Sequence, residues 1–402
     1  MSRWKHGADG ELRVIFAGGG TGGHLMPGAA VAEALRAMMP GTRCMFLGTN
    51  RRAEAHCNSA ISRFEWREVP AARWGRSLQK LRFAAVSAVA AGKCLSLMRE
   101  FRPQALVGLG GYSCVAPLLA ARLAGVRTMV FESNAVPGRV VRLLAPHVDC
   151  VQLQWDRAAS RLKARRVMRS GNPVRTCAMV SDKDKALRRL GLERGRVTLL
   201  VTGGSQGALS LNRTVLEALG VMAGPGGPVR PEQLQVLHLT GVQHLAEACA
   251  AALPAGLLYC PRGFLGRMGD AYSAADFVVS RAGGATLAEL TAAGLPSVLV
   301  PYPHAADGHQ QANADVLVEA GAAVCILESE LTAQVLASTL AEFVNRPERR
   351  AAIAANSATL GRPEAATNVA IELVRMVGLP LRRADLAEGL KTNESSRVSR
   401  AA

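Results

Sequence analysis

Short apolar runs alternate along this chain with longer segments in which apolar positions recur every three to four residues. The short runs predict buried strands, and the longer segments predict helices packed against a sheet. The predicted strands lie at residues 13–17, 44–48, 105–109, 126–131, 197–201, 235–239 and 297–301. Strands that alternate with helices in this way indicate an α/β fold with parallel sheets.

Glycine-rich turns follow several of these strands, at residues 18–23, 110–112, 203–208 and 281–286. The strand, glycine turn and helix pattern begins anew near residue 197, which predicts two similar α/β domains rather than one large sheet. We place the boundary after the turn-rich segment 167–175, so the predicted domains are residues 12–175 and 176–360. Residues 361–378 are predicted to form a last helix, with the N-terminal domain as its candidate packing partner. Residues 380–402 are predicted to be disordered.

The stretch 278–313 carries the clearest chemical pattern. A strand leads into the turn 281–286 at the start of a helix, where free backbone N–H groups and the helix dipole favour an anion. Glu289 follows about one helical turn later, and the next strand ends in a loop that contains His309 and Gln310. An anion cradle, a carboxylate and an amide-rich loop suit a ligand with a phosphate, a ribose and a further hydroxylated group. We therefore predict a nucleotide-sugar site.

Small and polar residues also follow three strands of the N-terminal half. These residues are Thr21 and His24, Tyr112 and Ser113, and Glu132 and Asn134. Because ligands bind beyond the carboxyl ends of strands in open parallel sheets, these loops are expected to line one cleft.

The segment 71–102 mixes large apolar and basic side chains near its start. Trp74, Leu78, Leu81 and Phe83 supply the apolar surface, and Arg73, Arg76, Lys80 and Arg82 stand among them. This mixture is typical of a helix that contacts an anionic membrane surface. The alternative is an ordinary helix packed on a sheet, which we favour for residues 84–97.

Composition narrows the possible classes of protein. The 402 residues suffice for two domains, and 49% of them are apolar. The net charge of +17 suits nucleic acid, anionic lipid or phosphorylated substrates. Aromatic residues make up only 4%, and the basic residues are dispersed, which argues against a nucleic-acid partner. An NAD(P)-binding regulator is disfavoured because no acidic residue ends the second strand.

Two further features bear on the cellular setting. The nine cysteines include no Cys-x-x-Cys pair, which predicts reduced thiols in a reducing compartment. The chain has neither a signal-type N-terminal apolar run nor an apolar run of about 20 residues, the length that spans a bilayer. We therefore expect a soluble or peripheral protein.

Five motifs along the chain resemble those of a known family. They are GGTGGHLMPG at 19–28, GGY at 110–112, GNPVR at 171–175, GGSQGA at 203–208, and SRAGGATLAELTAAGLPSVLVPYP with HQQAN within 280–313. In this order they resemble the MurG family, the bacterial UDP-N-acetylglucosamine:lipid I N-acetylglucosaminyltransferases. The resemblance covers residues 12–378. It implies the GT-B architecture, two Rossmann-like domains facing across a cleft.

The resemblance also implies an activity and its setting. An inverting enzyme would move N-acetylglucosamine from UDP-N-acetylglucosamine to the MurNAc 4-hydroxyl of lipid I, forming lipid II for peptidoglycan synthesis, cell shape and division. No cofactor and no metal are expected. The expected location is the cytoplasmic face of the bacterial inner membrane, as a peripheral protein, with other cell-wall synthesis or division proteins as candidate partners. The alternatives are a related GT-B enzyme that glycosylates diacylglycerol and a UDP-N-acetylglucosamine epimerase.

Site residues follow from the same resemblance. The C-terminal domain would bind the donor: Ser205, Gly284, Ala285 and Thr286 at the diphosphate, Glu289 at the ribose, Leu265 at the uracil through backbone groups, and His309 and Gln310 at the sugar. Arg175, Asn212, Thr21, Gly22 and Gly23 would border the donor. The N-terminal domain would bind the acceptor through Thr21, His24, Tyr112, Glu132 and Asn134.

Two positions depart from the family pattern. Phe131-Glu132-Ser133-Asn134 stands where the family often has His-Glu-Gln-Asn, and His309 stands where some members have Gln. For the proton transfer, His24 is the first candidate base, because an ordinary histidine pKa near 6.5 suits catalysis around neutrality. Glu132 is the competing base. Alternatively, His24 only orients the diphosphate or the acceptor.

Overall fold

The computed structural model describes residues 11–19, 22–49, 61–72, 78–179, 182–204 and 206–380, without the side chains of residues 22–24 and 78–81. The chain divides into two compact units. The first holds the residues up to Arg175 and the segment from Arg362 onward, and the second holds Thr176–Gly361.

A seven-stranded parallel sheet forms the centre of the first unit. Its strands are β1 (Arg13–Ala17), β2 (Arg43–Gly48), β3 (Glu65–Glu68), β4 (Ala105–Gly108), β5 (Arg127–Glu132), β6 (Cys150–Leu153) and β7 (Val167–Met168), in the order β3-β2-β1-β4-β5-β6-β7. The connecting helices described are α1 (Gly22–Met38), α2 (Leu78–Phe101), α3 (Val115–Leu123) and α4 (Arg139–Leu144). The strand order reverses between β1 and β4, which defines the switch point of a doubly wound sheet.

The second unit repeats this plan with six parallel strands. They are β8 (Val197–Thr202), β9 (Leu234–Leu239), β10 (Leu258–Arg262), β11 (Phe277–Ser280), β12 (Ser297–Leu299) and β13 (Ala323–Cys325), in the order β10-β9-β8-β11-β12-β13. The helices are α5 (Lys183–Leu190), α6 (Leu209–Ala223), α7 (Leu245–Cys249), α8 (Met268–Ala274), α9 (Gly284–Ala292), α10 (His309–Glu319), α11 (Ala333–Asn345) and α12 (Pro347–Leu360). This is the Rossmann strand order, with its switch point between β8 and β11.

The last helix, α13 (Ala365–Met376), belongs to the first unit and packs against α1. Its Val369 and Leu373 join the same apolar cluster as Leu25. Glu372, buried on this helix, accepts a hydrogen bond from Arg166 at 3.0 Å. The chain therefore returns to its first unit after completing the second.

Alternation along β1 shows why these apolar runs became central strands. Val14 and Phe16 face a cluster with α1 and α13, whereas Ile15 and Ala17 face a cluster with α2 and α3. Successive side chains of a strand point to opposite faces, so a strand covered by helices on both sides must be apolar at every position. The predicted Rossmann-like α/β fold is confirmed in both units.

Candidate active site

In the second unit, two loops leave the sheet side by side at its switch point. Ser280, the last residue of β11, pairs with Thr202, the last residue of β8. The loops that follow, 203–208 and 281–283, lead into α6 and α9. Because ligands of open parallel sheets bind where the strand order reverses, this is the expected binding position of the unit.

The first of these loops lies directly against a neighbouring backbone. Gly207 has φ +76°, and a Cβ there would lie 1.9 Å from the carbonyl oxygen of Thr240. Gly241, with φ +84°, would bring a Cβ to 2.4 Å from the carbonyl oxygen of Gln206. Both positions therefore require glycine, and loop 203–208 is fixed by backbone contact with Thr240 and Gly241.

The second loop presents an uncapped helix N-terminus. Gly283 is the N-cap of α9 and gives no side-chain cap, and a Cβ there would meet nothing closer than Thr286 Oγ1 at 4.0 Å. By contrast, Asp182 accepts a hydrogen bond from the Lys185 N–H at the start of α5, 3.0 Å away. The first N–H groups of a helix need acceptors, and an anion in open space can supply them. The start of α9 is thus suited to bind a phosphate.

A buried histidine network holds the start of α6. Asn212 donates through Nδ2 to the Thr240 carbonyl oxygen at 2.8 Å, and its Oδ1 lies 3.1 Å from His238 Nε2. An amide oxygen only accepts, so Nε2 carries the proton and Nδ1 accepts from the Tyr259 hydroxyl at 2.9 Å. Burial lowers the pKa of His238 from 6.5 to about 4, so the ring is neutral. Asn212 is buried and ties α6 to the Thr240 backbone, and its expected place at the border of the donor stays a prediction.

A buried arginine links the second loop to the start of α6 and to Glu328. Arg281 donates to Glu328, to the Val300 carbonyl oxygen at 3.1 Å and to Ser210 Oγ at 3.0 Å. Ser210 Oγ in turn donates to Glu328 Oε1 at 2.6 Å. Burial opposes ionisation of Glu328, but the hydrogen bonds from Arg281 and Ser210 outweigh it and lower the pKa of that carboxyl. The carboxyl of Glu328 is therefore held in its ionised form next to Arg281.

The predicted ribose ligand, Glu289, lies on α9 itself. Its Oε2 accepts a hydrogen bond from the hydroxyl of Tyr272 on α8, at 2.5 Å. The side chain of Glu289 is half-buried, whereas Tyr272 is buried. Glu289 therefore lies on α9, the helix with the uncapped N-terminus, and its carboxylate is held by Tyr272 from the neighbouring helix α8.

Helix α10 fixes the second loop from the other side. Gln310 Oε1 accepts from the Ala282 N–H at 3.1 Å and from the Tyr302 N–H at 2.9 Å. Buried Asn313 donates through Nδ2 to the Ala282 carbonyl oxygen at 3.1 Å. The amide oxygen of Gln310 is therefore filled by backbone donors. His309 begins this helix and is half-buried, as is Leu265 in the loop before α8.

In the first unit, Glu132 organises the loop after β5. Its Oε1 accepts from the backbone N–H and the Nδ2 of Asn134, both at 2.9 Å, and its Oε2 accepts from the Gly138 N–H at 2.7 Å. The residue is 3% exposed, and burial raises the pKa of its carboxyl against the lowering effect of these donors. A carboxylate enclosed in this way is not placed to reach a substrate hydroxyl. The geometry argues against Glu132 as the general base.

The loops at the switch point of the first unit also approach closely. The Leu109 N–H donates to the Ala17 carbonyl oxygen at 2.7 Å, and a Cβ on Gly18 would lie 2.7 Å from Leu109 Cβ. Tyr112 follows in the turn Tyr112–Cys114 and is half-buried. Arg175 ends the unit, half-buried, and its Nε has no hydrogen-bond partner among the described residues.

The expected membrane contact of Phe83 is wrong. Phe83 is 8% exposed, belongs to the apolar cluster beneath α2 and α3, and packs edge-on against Tyr112 with ring centroids 6.0 Å apart. The side chain faces the core because α2 packs on both the sheet and α3. A side chain buried there cannot enter a membrane.

Several predicted site residues lie outside the described residues. Thr21, Trp74 and Ser205 are not described, and the side chains of Gly22, Gly23, His24, Leu78 and Leu81 are likewise outside the description. The backbone of residues 22–24 forms the first turn of α1. His24 and Thr21 therefore remain predictions.

The described residues contain neither a metal-binding cluster nor a membrane-spanning helix. Within them, no group of three or more His, Cys, Asp or Glu side chains is arranged to hold a metal ion. None of the helices described has the length and apolar character needed to cross a membrane.

Sequence reasoning assigned no role to the buried partners of the site residues. His238 lies at the end of a predicted strand and Arg281 in a glycine-rich turn, and neither position signals a buried partner, nor does that of Tyr272. Glu328 carried no local signal, because it stands 47 residues from its partner Arg281.

Comparison with known proteins places this geometry in a class. The profile described as glycosyltransferase family 28 N-terminal domain matches residues 14–152, and that of the family 28 C-terminal domain matches residues 198–369. The chain is thus a two-domain glycosyltransferase of family 28, with the fold of the GT-B class.

Individual relatives show which family of glycosyltransferases the chain belongs to. The UDP-N-acetylglucosamine–N-acetylmuramyl-(pentapeptide) pyrophosphoryl-undecaprenol N-acetylglucosamine transferase of Desulforudis audaxviator is 36% identical, over 91% of this chain and 99% of its own. The transferase of the same name from Anaeromyxobacter dehalogenans is 38% identical, over 90% and 94%. The crystal structure of Acinetobacter baumannii MurG superposes with a TM-score of 0.70 at 26% identity, covering 91% of this chain and 99% of that one. The chain belongs to the MurG family.

Proposed function

We propose that this chain transfers N-acetylglucosamine from UDP-N-acetylglucosamine to the MurNAc 4-hydroxyl of lipid I, forming lipid II. One observation carries the proposal most directly. Helix α9 begins with an uncapped N-terminus in open space at Gly283 and carries Glu289 further along the same helix. An anion site and a hydroxyl-binding carboxylate on one helix match the diphosphate and the ribose of a nucleotide sugar. Membership of the MurG family supports the choice of donor and acceptor.

The leaving diphosphate sets the main electrostatic demand. As the bond from C1 of the sugar to the phosphate oxygen breaks, negative charge grows on UDP. Backbone N–H groups of Gly284, Ala285 and Thr286, together with Ser205 in the other loop, would stabilise that charge. Fixed donors of this kind need no reorganisation during the reaction, and loss of one typically costs about 2.7–4 kcal/mol of barrier. No step of the proposal uses a metal ion or a cofactor.

The remaining donor contacts would fix the ribose, the base and the sugar. Glu289 would accept from the ribose hydroxyls, and Leu265 would bind uracil through backbone groups. Because two backbone N–H groups fill its amide oxygen, Gln310 would meet sugar oxygens as a donor through Nε2. His309 would bind a second sugar hydroxyl, and Arg175 would border the donor.

The acceptor side would lie with the first unit. There, Tyr112 and Asn134 would contact lipid I, and His24 would act as the general base. The 4-hydroxyl oxygen attacks C1, its proton passes to His24, and UDP leaves from the opposite face, so the anomeric configuration inverts. Glu132 would shape the acceptor loop, through its hydrogen bonds to Asn134 and Gly138, rather than take the proton.

A lipid-linked acceptor calls for a membrane surface on the protein. We assign it to the α2–α3 surface, defined by the exposed residues Arg82, Val89, Lys93, Leu119, Arg122 and Leu123. The two helices pack together, and Val89 and Leu123 are 67% and 77% exposed. Exposed apolar side chains among cations suit an anionic bilayer. The protein would then act as a peripheral protein on the cytoplasmic face of the bacterial inner membrane.

Transfer of radiolabel from UDP-N-acetylglucosamine tests the proposal. The purified protein is incubated with a lipid I analogue or with diacylglycerol in matched detergent. We expect a labelled disaccharide lipid with the lipid I analogue and none with diacylglycerol. Label on diacylglycerol would favour the lipid glycosyltransferase alternative, and conversion of the free donor to its epimer would favour the epimerase. Either result would overturn the proposed reaction.

A further inference from the structure

The contact between Tyr272 and Glu289 joins a buried residue to a residue of the donor site. Tyr272 is 2% exposed, and its hydroxyl donates to Glu289 Oε2 at 2.5 Å. A buried tyrosine hydroxyl needs a hydrogen-bond partner, and a carboxylate is a strong one. Here the partner is Glu289, so the Tyr272 hydroxyl orients a carboxylate that is proposed to bind the ribose hydroxyls.

Helix α8, which carries Tyr272, is itself fixed at several points. Arg189 and Arg267 form ion pairs with Asp270 at 3.1 and 3.3 Å. Ser273 Oγ donates to the Gly269 carbonyl oxygen at 2.6 Å, and a Cβ on Gly269 would lie 2.4 Å from the carbonyl oxygen of Met179. The contacts of Asp270 with Arg267 and of Ser273 with Gly269 are local to the helix. The Arg189 ion pair and the close approach of Gly269 to Met179 join it to other parts of the unit and so hold the Tyr272 hydroxyl in place.

The bond from Tyr272 is compatible with ribose binding. An ionised carboxylate offers about four lone-pair positions, of which a tyrosine hydroxyl occupies one. A glutamate side chain loses rotamer freedom when it is held in one orientation, and an orientation fixed beforehand reduces the ordering cost at binding. Tyr272 thus prepares Glu289 for a ligand with two adjacent hydroxyls.

We propose that Tyr272 is a positioning residue that orients Glu289 toward the ribose hydroxyls and so sets the preference for a ribonucleotide over a 2′-deoxyribonucleotide. The inference rests on the proposed role of Glu289 and adds the residue that makes this role selective. Tyr272 does not touch the nucleotide itself.

Calorimetric titration of the full-length protein with UDP and 2′-deoxy-UDP tests this. Tyr272→Phe keeps the ring and removes only the hydroxyl. We expect it to weaken UDP binding about fivefold to tenfold, the size expected for loss of an ordinary intramolecular hydrogen bond, and to change 2′-deoxy-UDP binding less than twofold. The ratio of the 2′-deoxy-UDP Kd to the UDP Kd should fall toward the ratio measured for Glu289→Ala. In a protein that already carries Glu289→Ala, the further change Tyr272→Phe should not alter this ratio.

Thr291→Val is the matched control. It removes a buried hydroxyl from α9 itself, one that donates to the Leu287 carbonyl oxygen at 2.8 Å. It should leave the preference for UDP unchanged. A loss of preference equal to that of Tyr272→Phe would mean that any lost hydroxyl near α9 loosens the site, which would overturn a specific role for Tyr272.

The outcomes separate this inference from the proposed function. If Glu289→Ala lowers the preference and Tyr272→Phe does not, the positioning role is wrong while the ribose site stands. If Glu289→Ala leaves the preference unchanged, the ribose assignment itself fails. Should Tyr272→Phe not fold, 3-fluorotyrosine at position 272, a stronger donor, replaces it. The preference should then rise, and an unchanged value would overturn the positioning role.

Discussion

The strand-end loops of the two units are held in different ways. In the second unit, side chains from neighbouring elements fix each loop: Asn212 with His238, Arg281 with Glu328, and Gln310 with the Ala282 N–H. In the described part of the first unit, Glu132 holds the loop after β5 through its neighbours Asn134 and Gly138, and Ser133 Oγ donates to Asn172 Oδ1 at 3.0 Å. Loops that are fixed before binding reduce the ordering cost when a ligand binds, which suits the donor site proposed in the second unit.

The largest effect is expected from His24, which tests whether the chemistry lies in the first unit. His24→Ala should lower kcat about 10²- to 10⁴-fold, the usual contribution of a general base, while UDP affinity stays constant. Steady-state kinetics and UDP calorimetry measure the two quantities. His147→Ala, an exposed histidine of the same unit, is the control and should not alter kcat. An unaltered kcat in the His24 variant would remove this residue from the mechanism.

Acid should loosen the second unit through His238. Its pKa is about 4 in the folded chain against 6.5 ordinarily, because burial disfavours the charged ring. Between these values the unfolded chain binds a proton that the folded chain does not. Stability is therefore lost as the pH falls from 6.5 to about 4, by up to about 3 kcal/mol. Hydrogen exchange of β8 and β9 across this range measures the loss.

His238→Gln should flatten that pH dependence, since glutamine does not titrate. His244→Gln in the same unit should leave it as in the wild type. An equally steep decline in the His238 variant would assign the acid sensitivity to other groups.

Glu132→Gln should affect the acceptor alone. The glutamine NH₂ group would face one of the N–H groups, of Asn134 or Gly138, that now donate to the carboxylate, and a buried donor would lose its acceptor. We expect the acceptor KM to rise about tenfold to a hundredfold, with UDP binding unchanged. Glu100→Gln, at an exposed position on α2, serves as the control. Weaker UDP binding in the Glu132 variant would contradict the proposal that the second unit binds the donor and the first unit binds the acceptor.

The smallest effect is expected at the α2–α3 surface. Leu123→Ser should reduce binding to anionic vesicles about threefold to tenfold, because one exposed leucine loses its burial in lipid. Activity on a short-chain soluble acceptor should remain. Vesicle co-sedimentation gives the measurement, and Val242→Ser, 60% exposed in the second unit, is the control. Equal sedimentation of the wild type and the Leu123 variant would exclude this surface.

The sequence predicted what is local and missed what depends on packing. A glycine turn at a strand end is visible in adjacent residues, so the loops that lie at both switch points were predicted. The partners of Glu289 and Arg281 stand 17 and 47 residues away, and only the folded chain shows which side chains meet. The edge strands β3 and β7 were also missed, because they are short and partly exposed and therefore lack an apolar run. Phe83 was misassigned since its neighbours suggested a surface, whereas the packing of α2 on α3 buries it.

Hydrogen exchange of the full-length protein with and without UDP tests most directly whether the second unit binds the donor. The proposed diphosphate ligands are backbone N–H groups at the start of α9, which this measurement observes. We expect UDP to slow exchange in residues 283–289 and 203–209, with no change in residues 132–138. Protection confined to the loops of the first unit, with 283–289 unaffected, would contradict the assignment of the donor site.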